Sequence, residues 1–282
     1  MELTMPHPTL DTRRAEPSAA RHSPSAPDVL MDRFCPTTLA DLERVSLLNR
    51  VDTKYVLDPP RLLAALAGLT RHYRVLQIGG TRRHRYRTVY FDTPSFELYP
   101  QHHTGRATRV KARGRTYLDS GLAFFEVKVK NNRGRTIKHR LPTPRLLTEL
   151  TPEAGDLLAR HAPGLDGGLE QKLTNSFTRI TLAGVERAER LTLDLDVRFE
   201  ARGEWGSRIA ILPGLAIAEL KQAGPDRDSP FARCMRELRV QPLSVSKYCT
   251  GVSLLYPELP HNRFKPQLRA MARLAGGGAD VR

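Results

Sequence analysis

Apolar positions change their spacing near residue 73, and the change divides a helical entry from a strand-rich body. Before it, Leu39, Leu42, Val45, Leu47 and Leu48 recur at helical intervals, predicting a helix capped by Thr37 or Thr38 and running to Leu48. Pro59 and Pro60 then open a second helix, RLLAALAGL, since the first turn of a helix tolerates proline. Beyond it, alternating or β-branched segments mark strands at 73–79, 84–92, 106–117, 122–130, 135–141, 173–183, 189–200 and 215–222, with Gly, Asp and Asn in the turns. Short helices fit 95–103, 152–161, 229–238 and 244–255. This order lacks the strand–helix–strand rhythm of a parallel sheet, so an antiparallel α+β fold is expected.

The polar positions of the strands are unusually basic. Side chains two apart share a face, which groups Arg109, Lys111, Arg113 and Arg115 opposite Thr108, Val110 and Ala112. Glu126, Lys128 and Lys130 oppose Phe125, Val127 and Val129, and Lys138 aligns with Arg140. Arg190, Asp194 and Asp196 oppose Leu191, Leu193, Leu195 and Val197, and Glu219 pairs with Lys221. Between Arg106 and Arg140 stand eleven Lys or Arg residues and two acids, Asp119 and Glu126. Two readings fit. Each charged face is the wet side of a two-layer fold, or the faces close around one cavity suited to a multiply charged anion.

Charge over the whole chain points the same way. Forty-five Lys plus Arg against thirty Asp plus Glu give a net charge of +15 in 282 residues, so nucleic acid, polyphosphate and anionic membrane are the partners to weigh. Cys35, Cys234 and Cys249 are odd in number and widely spaced, which fits a reducing compartment better than a disulfide scaffold. No window approaches the roughly 20 apolar residues of a membrane span. A cytoplasmic location is expected, with any membrane attachment made through a separate membrane protein partner. Residues 1–30, rich in Pro, Ser and Arg, read as a disordered tail, 31–260 as one domain, and 261–282 as a short tail, partly helical near Leu268–Leu274.

The acids among these cations suggest metal chemistry. A divalent ion bridging phosphate oxygens takes carboxylate and water ligands, which makes Glu126 and Glu219 candidates with Asp194 and Asp196 behind them. An ion pair from Glu126 to Lys128 or Arg113 is the competing reading. His84, His102, His103 and His139 lack three-ligand spacing and are assigned neither to metal nor to base catalysis.

At NRVDTKYVL, YFDTPSFELY, VKARGRTY, FFEVKVKNNRGRTIKHR, IAELK and LSVSKY, the chain resembles the VTC-type polyphosphate polymerase domain of the CYTH-like triphosphate tunnel metalloenzymes. The resemblance runs from about Arg33 to Tyr256. It implies an antiparallel eight-stranded β-barrel with surrounding helices. It also implies transfer of the ATP γ-phosphate to a growing polyphosphate chain with Mn²⁺ or Mg²⁺. Carried over by motif, Lys54, Arg113, Arg115, Lys128, Lys138, Arg179 and Lys247 would be the catalytic phosphate contacts, and Glu219 with Glu126 the metal acids. Arg109, Lys111, Arg140 and Lys221 would extend the basic wall around ATP and polyphosphate.

Two positions depart from the pattern. The hydrolytic branch usually opens with E-x-E-x-K, where this chain has R-V-D-T-K, Arg50 to Lys54, a change that favours the polymerase branch. Phe177 stands where a tyrosine often precedes the later arginine, which removes a hydroxyl and keeps an aromatic wall. A triphosphatase or polyphosphatase and a non-catalytic polyphosphate-binding module are the alternatives to polymerisation. No specific nucleic acid is expected, because no reading motif accompanies the charge.

Overall fold

The computed structural model describes residues 26–44, 50–133, 135–165, 168–203 and 206–276. Helix α1 spans Ala26–Met31, strand β1 Pro36–Thr37, α2 Leu39–Arg44, β2 Val51–Leu57, α3 Pro59–Leu69, β3 Tyr73–Leu76, β4 His84–Asp92 and α4 Leu98–His103. The meander β5 (Arg109–Tyr117), β6 (Ala123–Lys130) and β7 (Thr136–Thr143) leads into α5 (Pro152–His161). Then come β8 (Glu170–Gly184), β9 (Glu189–Gly203), β10 (Gly206–Ile211), β11 (Ala216–Gln222), α6 (Pro230–Glu237), α7 (Lys247–Leu255) and α8 (Lys265–Leu274).

The antiparallel α+β architecture forms, but the expected closed eight-stranded barrel does not. Hydrogen bonding runs β2-β11-β9-β8-β4-β5-β6-β7 and stops there, so β2 and β7 are free edges of an open sheet. With β1, β3 and β10 attached off this path, the sheet has eleven strands, and β1 pairs β3 in parallel. The chemistry of the two edges accounts for the gap. Charged edge strands resist pairing: β2 carries Asp52 and Lys54, β7 carries Lys138 and Arg140, and Pro142 removes a ladder donor.

At the ends of the chain, Ala26–Met31 is helical although the sequence reads as tail to residue 30. Residues 1–25 and 277–282, and the stretch 45–49 in which the first helix was expected to finish, lie outside the described residues. Thr38 is the cap of α2, its Oγ1 accepting from Asp41 N at 3.3 Å.

The sheet is inverted relative to an ordinary barrel, with its apolar face outside and the helices wrapped over it. Helices α3 and α6 press Leu66, Leu69, Phe231 and Met235 onto Tyr55, Leu57 and Leu193. Helix α7 packs Val252 and Leu255 on Phe199 and Leu173, and α5 lays Ala154 and Leu158 over Phe125 and Val127. Each such side chain contributes roughly 1.5–3 kcal/mol by leaving water. The outer face therefore holds the curvature, and the inner face is released for polar side chains.

The ladders shift register at two places among the described residues, where Lys172 of β8 is extra opposite Tyr90 and Phe91 and where β9 bulges at Asp196. Asp196 has φ +54°, and it and Val197 together oppose the single residue Phe177 of β8. This bulge turns Asp196 away from the inner face, where period two had placed it with Asp194. Its side chain is 69% exposed and pairs with Arg83 at 3.3 Å, whereas that of Asp194 is 3% exposed.

Candidate active site

All eight strands of the path face one cavity of about 490 Å³, closed at one side by the start of α7. Among the described residues, fourteen Lys or Arg and four acids line it, so ten of the chain's fifteen excess positive charges gather there. All thirteen site residues expected from the sequence lie on this wall.

Register explains how they meet. Strands β5, β6 and β7 set Arg109–Lys130–Thr136, Lys111–Lys128–Lys138 and Arg113–Glu126–Arg140 in successive cross-strand rows. Like charges directly opposite destabilise a sheet, and the middle row is lysine throughout. Lys111 donates to Ser246 Oγ at 2.9 Å and Lys138 reaches diagonally to Glu126 Oε1 at 3.4 Å. Lys128 finds no carboxylate within ion-pair distance among the described residues. Arg113 first, then burial and Arg115, push its pKa well down. A multiply charged anion would relieve that row.

Glu126 organises the next row. Its side chain is 1% exposed; Arg113 donates to Oε2 from Nε at 2.7 Å, and Arg140 to Oε1 from Nη2 at 2.9 Å. Burial alone would raise its pKa, but Arg113, Arg115 and Lys138 hold it below the carboxylate range. Glu126 thus takes the ion-pair reading with Arg113, and its oxygens are committed to three cations. Arg115 donates to Thr88 Oγ1 at 3.1 Å, and burial together with Arg113 and Arg179 lowers its pKa.

On the opposite wall, β2, β11 and β9 set Asp52–Lys221–Arg190 above Lys54–Glu219–Thr192. Glu219 is paired with Lys221 and lies 3.8 Å from Lys54, and these lysines outweigh burial to keep it ionised. Lys54 also donates to the Val245 carbonyl at 2.7 Å. Arg179 grips Asp194 with two bonds, Nε to Oδ1 at 2.5 Å and Nη2 to Oδ2 at 2.8 Å.

Lys247 completes that cluster from α7. Gly251 lets the helix approach the sheet, since a Cβ there would sit 2.7 Å from Phe199. Ser246 caps the helix through Cys249 N at 3.3 Å. A cation in the first turn opposes the helix dipole, and the ion pair to Asp194 offsets this. Burial lowers the Lys247 pKa to about 8 although Asp194 pulls it upward. Phe177, lacking the hydroxyl, stacks on Tyr86 at 5.1 Å and backs three cations: Arg115, Arg179 and Lys247, the last 4.7 Å from its ring centre.

Reading charges alone misses the neutral members. Thr192 Oγ1 is buried without a hydrogen-bond partner, beside Glu219 in register and flanked by Arg190 and Asp194. The period-two rule that grouped Arg190 with Asp194 passes through it. His102 also lines the cavity, and burial with Lys111 pushes its pKa down to about 3, so it is neutral at physiological pH.

Among the described residues, no three Asp, Glu, His or Cys side chains gather to hold a metal on protein ligands alone. The donor set does suit a hard divalent ion that brings phosphate and water ligands with it: one carboxylate, Glu219, next to the orphaned Thr192 hydroxyl. No described helix is long and apolar enough to cross a membrane.

The site is thus a cationic groove whose walls carry isolated acids. Residues 49–256 match the VTC domain, and the chain belongs to that family. No curated protein matches the chain. Among solved structures, it is similar to HpAC1 from Hippeastrum, described as a candidate adenylyl cyclase with a dominant triphosphatase activity. That match has 15% identity and TM-score 0.47, covering 72% of this chain and 95% of that one. It is also similar to a candidate adenylate cyclase from Bacillus halodurans, at 14% identity and TM-score 0.42, covering 70% and 94%. PH1819 from Pyrococcus horikoshii gives 14% identity and TM-score 0.38, covering 71% and 93%.

Proposed function

We propose that this cavity grips the terminal phosphates of a nucleoside triphosphate or an inorganic polyphosphate and cleaves the last phosphoanhydride, with water as acceptor. The observation that carries this reading is the open seam between β2 and β7. Its side chains are the wetter ones of the site: Lys54 is 33% and Lys138 43% exposed, against 12% for Arg113 and 13% for Lys247. Water therefore has direct access to a phosphate held on the lysine row.

Lys111, Lys128 and Lys138 would neutralise the transferring phosphoryl oxygens, while Arg113 and Arg115 hold neighbouring phosphates by planar, bidentate contacts. Arg179 and Lys247, fixed by Asp194, would orient the chain from the far wall. Glu219 and Thr192 would hold a divalent ion such as Mg²⁺ or Mn²⁺, which would supply positive charge to offset that of the phosphates. In hydrolysis the water oxygen bonds to the terminal phosphorus, the bridging P–O bond breaks, and the shortened chain leaves.

Transfer to the end of a phosphate chain is the second reading. It is supported by VTC family membership and by the three cationic rows along β5–β7, which offer room for an acceptor phosphate beside the donor. Incubating the purified chain with ATP and Mn²⁺, then following chain length and free phosphate together, separates the two. Phosphate release without elongation supports hydrolysis, elongation moves the assignment to polymerisation, and tight binding with neither leaves a binding module. Glu219→Gln should keep tripolyphosphate binding in metal-free buffer but lose about 100-fold in metal-dependent turnover. Unchanged turnover in that variant would remove Glu219 from the mechanism.

A further inference from the structure

Two acid-free cationic stretches, distant in sequence, meet outside the cavity. The first runs from Arg106 to Tyr117 and enters the cavity wall at Arg109. The second runs from Leu259 to Gly276 and contains α8, which lies beyond the region matched to the VTC domain. Arg263 ties the second to the residues just ahead of the first: its guanidinium donates to the Thr104 carbonyl, and its backbone N–H lies 3.3 Å from His103 Nε2. Arg109 in turn donates to the Arg106 carbonyl at 2.8 Å. A continuous path of contacts thus leads from the cavity wall to the start of α8.

Along α8 the path is regular. Lys265, Arg269 and Arg273 recur every four residues and are exposed, whereas Met271 is buried and Leu268 and Leu274 pack inward on the core. Four residues advance a helix by about 6 Å and about 40° past a full turn, so these cations form a gently winding row on one side. Among the described residues none of the three pairs with a carboxylate. An ordinary solvated helix face mixes both signs; this one carries a single sign and begins where the cavity wall ends.

We propose that the outer face of α8, with Arg106 and Arg263, is an exosite for the distal part of a long polyphosphate chain whose end occupies the cavity. The inference rests on the cavity's being a phosphate site. Its ligand chemistry is a linear polyanion of repeating charge, matched by a row of cations and continuous with the wall that holds the chain end. A short triphosphate would lie wholly within the cavity and never reach α8.

The test compares affinities of the full chain for tripolyphosphate and for medium-chain polyphosphate at low salt, in the wild type and in the double variant Arg269→Glu/Arg273→Glu. Long-chain affinity should fall about tenfold with a shallower salt dependence, and tripolyphosphate affinity should stay within about twofold. Arg269→Lys/Arg273→Lys should restore the long-chain value. Equal losses for both ligands, or no loss for either, overturn the exosite. Vesicles containing phosphatidylserine form a third arm: loss of vesicle binding with unchanged polyphosphate binding would assign the face to lipid and overturn the proposal. If the wild type does not bind tripolyphosphate, the cavity reading falls and the exosite with it; if it binds tripolyphosphate and the double variant keeps its long-chain affinity, the exosite alone falls.

Discussion

The two walls of the cavity are built from the same strand geometry and use charge differently. On β5, β6 and β7, eight cations face one acid, Glu126, and a whole cross-strand row is lysine. On β2, β11, β9 and β8, four cations face three acids, Asp52, Asp194 and Glu219, nearly in alternation. The first wall is unsatisfied without an anion, whereas the second is close to neutral by itself and retains an ionised carboxylate beside a free hydroxyl. Under the proposed function, the first wall would grip phosphate and the second would orient donor and metal.

Glu126→Ala would break the contrast most severely. It strands Arg113, Lys138 and Arg140 against a buried face, and removing one partner of a buried ion cluster costs about 3–5 kcal/mol, readable as a large fall in unfolding midpoint. Because the Glu126 pKa is depressed on folding, its stabilisation is complete above the unfolded carboxylate value of about 4.3 and is lost as pH falls. The variant should therefore also show a flatter acid limb; wild-type stability in Glu126→Ala would contradict the organising role.

Lys128→Ala should do the reverse. Relief of lysine–lysine repulsion leaves stability equal or higher, while kcat/KM falls by about 100-fold through loss of a charge aimed at the phosphoryl group. A folded variant with near-normal turnover would show that the unsatisfied row is not catalytic.

A smaller effect sharpens the second wall. With its pKa near 8, Lys247 loses its charge as pH rises through that value, so tripolyphosphate binding should weaken on the alkaline side. Lys247→Arg, charged throughout, should flatten that limb, and an unaltered profile would place the titration elsewhere. In stability the sign is opposite. The folded pKa lies below the unfolded value of about 10.4, so the cost of the buried charge is present below pH 8 and fades between the two values. The smallest effect is expected for Asp196→Asn, whose side chain faces Arg83 outside the cavity, with turnover within about twofold. A large loss would mean that the bulge does not isolate it.

Strand positions and inward faces were readable because the alternation Arg109–Lys111–Arg113–Arg115 against Val110 and Ala112 obeys a strict period of two. Helix α7 was readable from its apolar run, but its role was not. That Lys247 enters the cavity depends on Gly251 allowing close approach to Phe199, a contact between residues 52 positions apart. Three strands were missed by the spacing pattern: the two-residue β1, the edge strand β2 and the short β10. So was the bulge at Asp196, since an extra residue in a ladder is defined only by the strand opposite.

Asp196 apart, the sequence by itself determined the inward faces of the strands it revealed, the excess of positive charge on those faces, and the family, because all three follow from local order and spacing. Only the tertiary structure decided that β2 and β7 leave the sheet open, that Glu126 is an ion-pair centre, and that Thr192 stands unpartnered beside Glu219. Those outcomes depend on register between strands far apart in the chain. Register is settled by the packing of α3, α5, α6 and α7 over the whole outer face, which no single segment encodes.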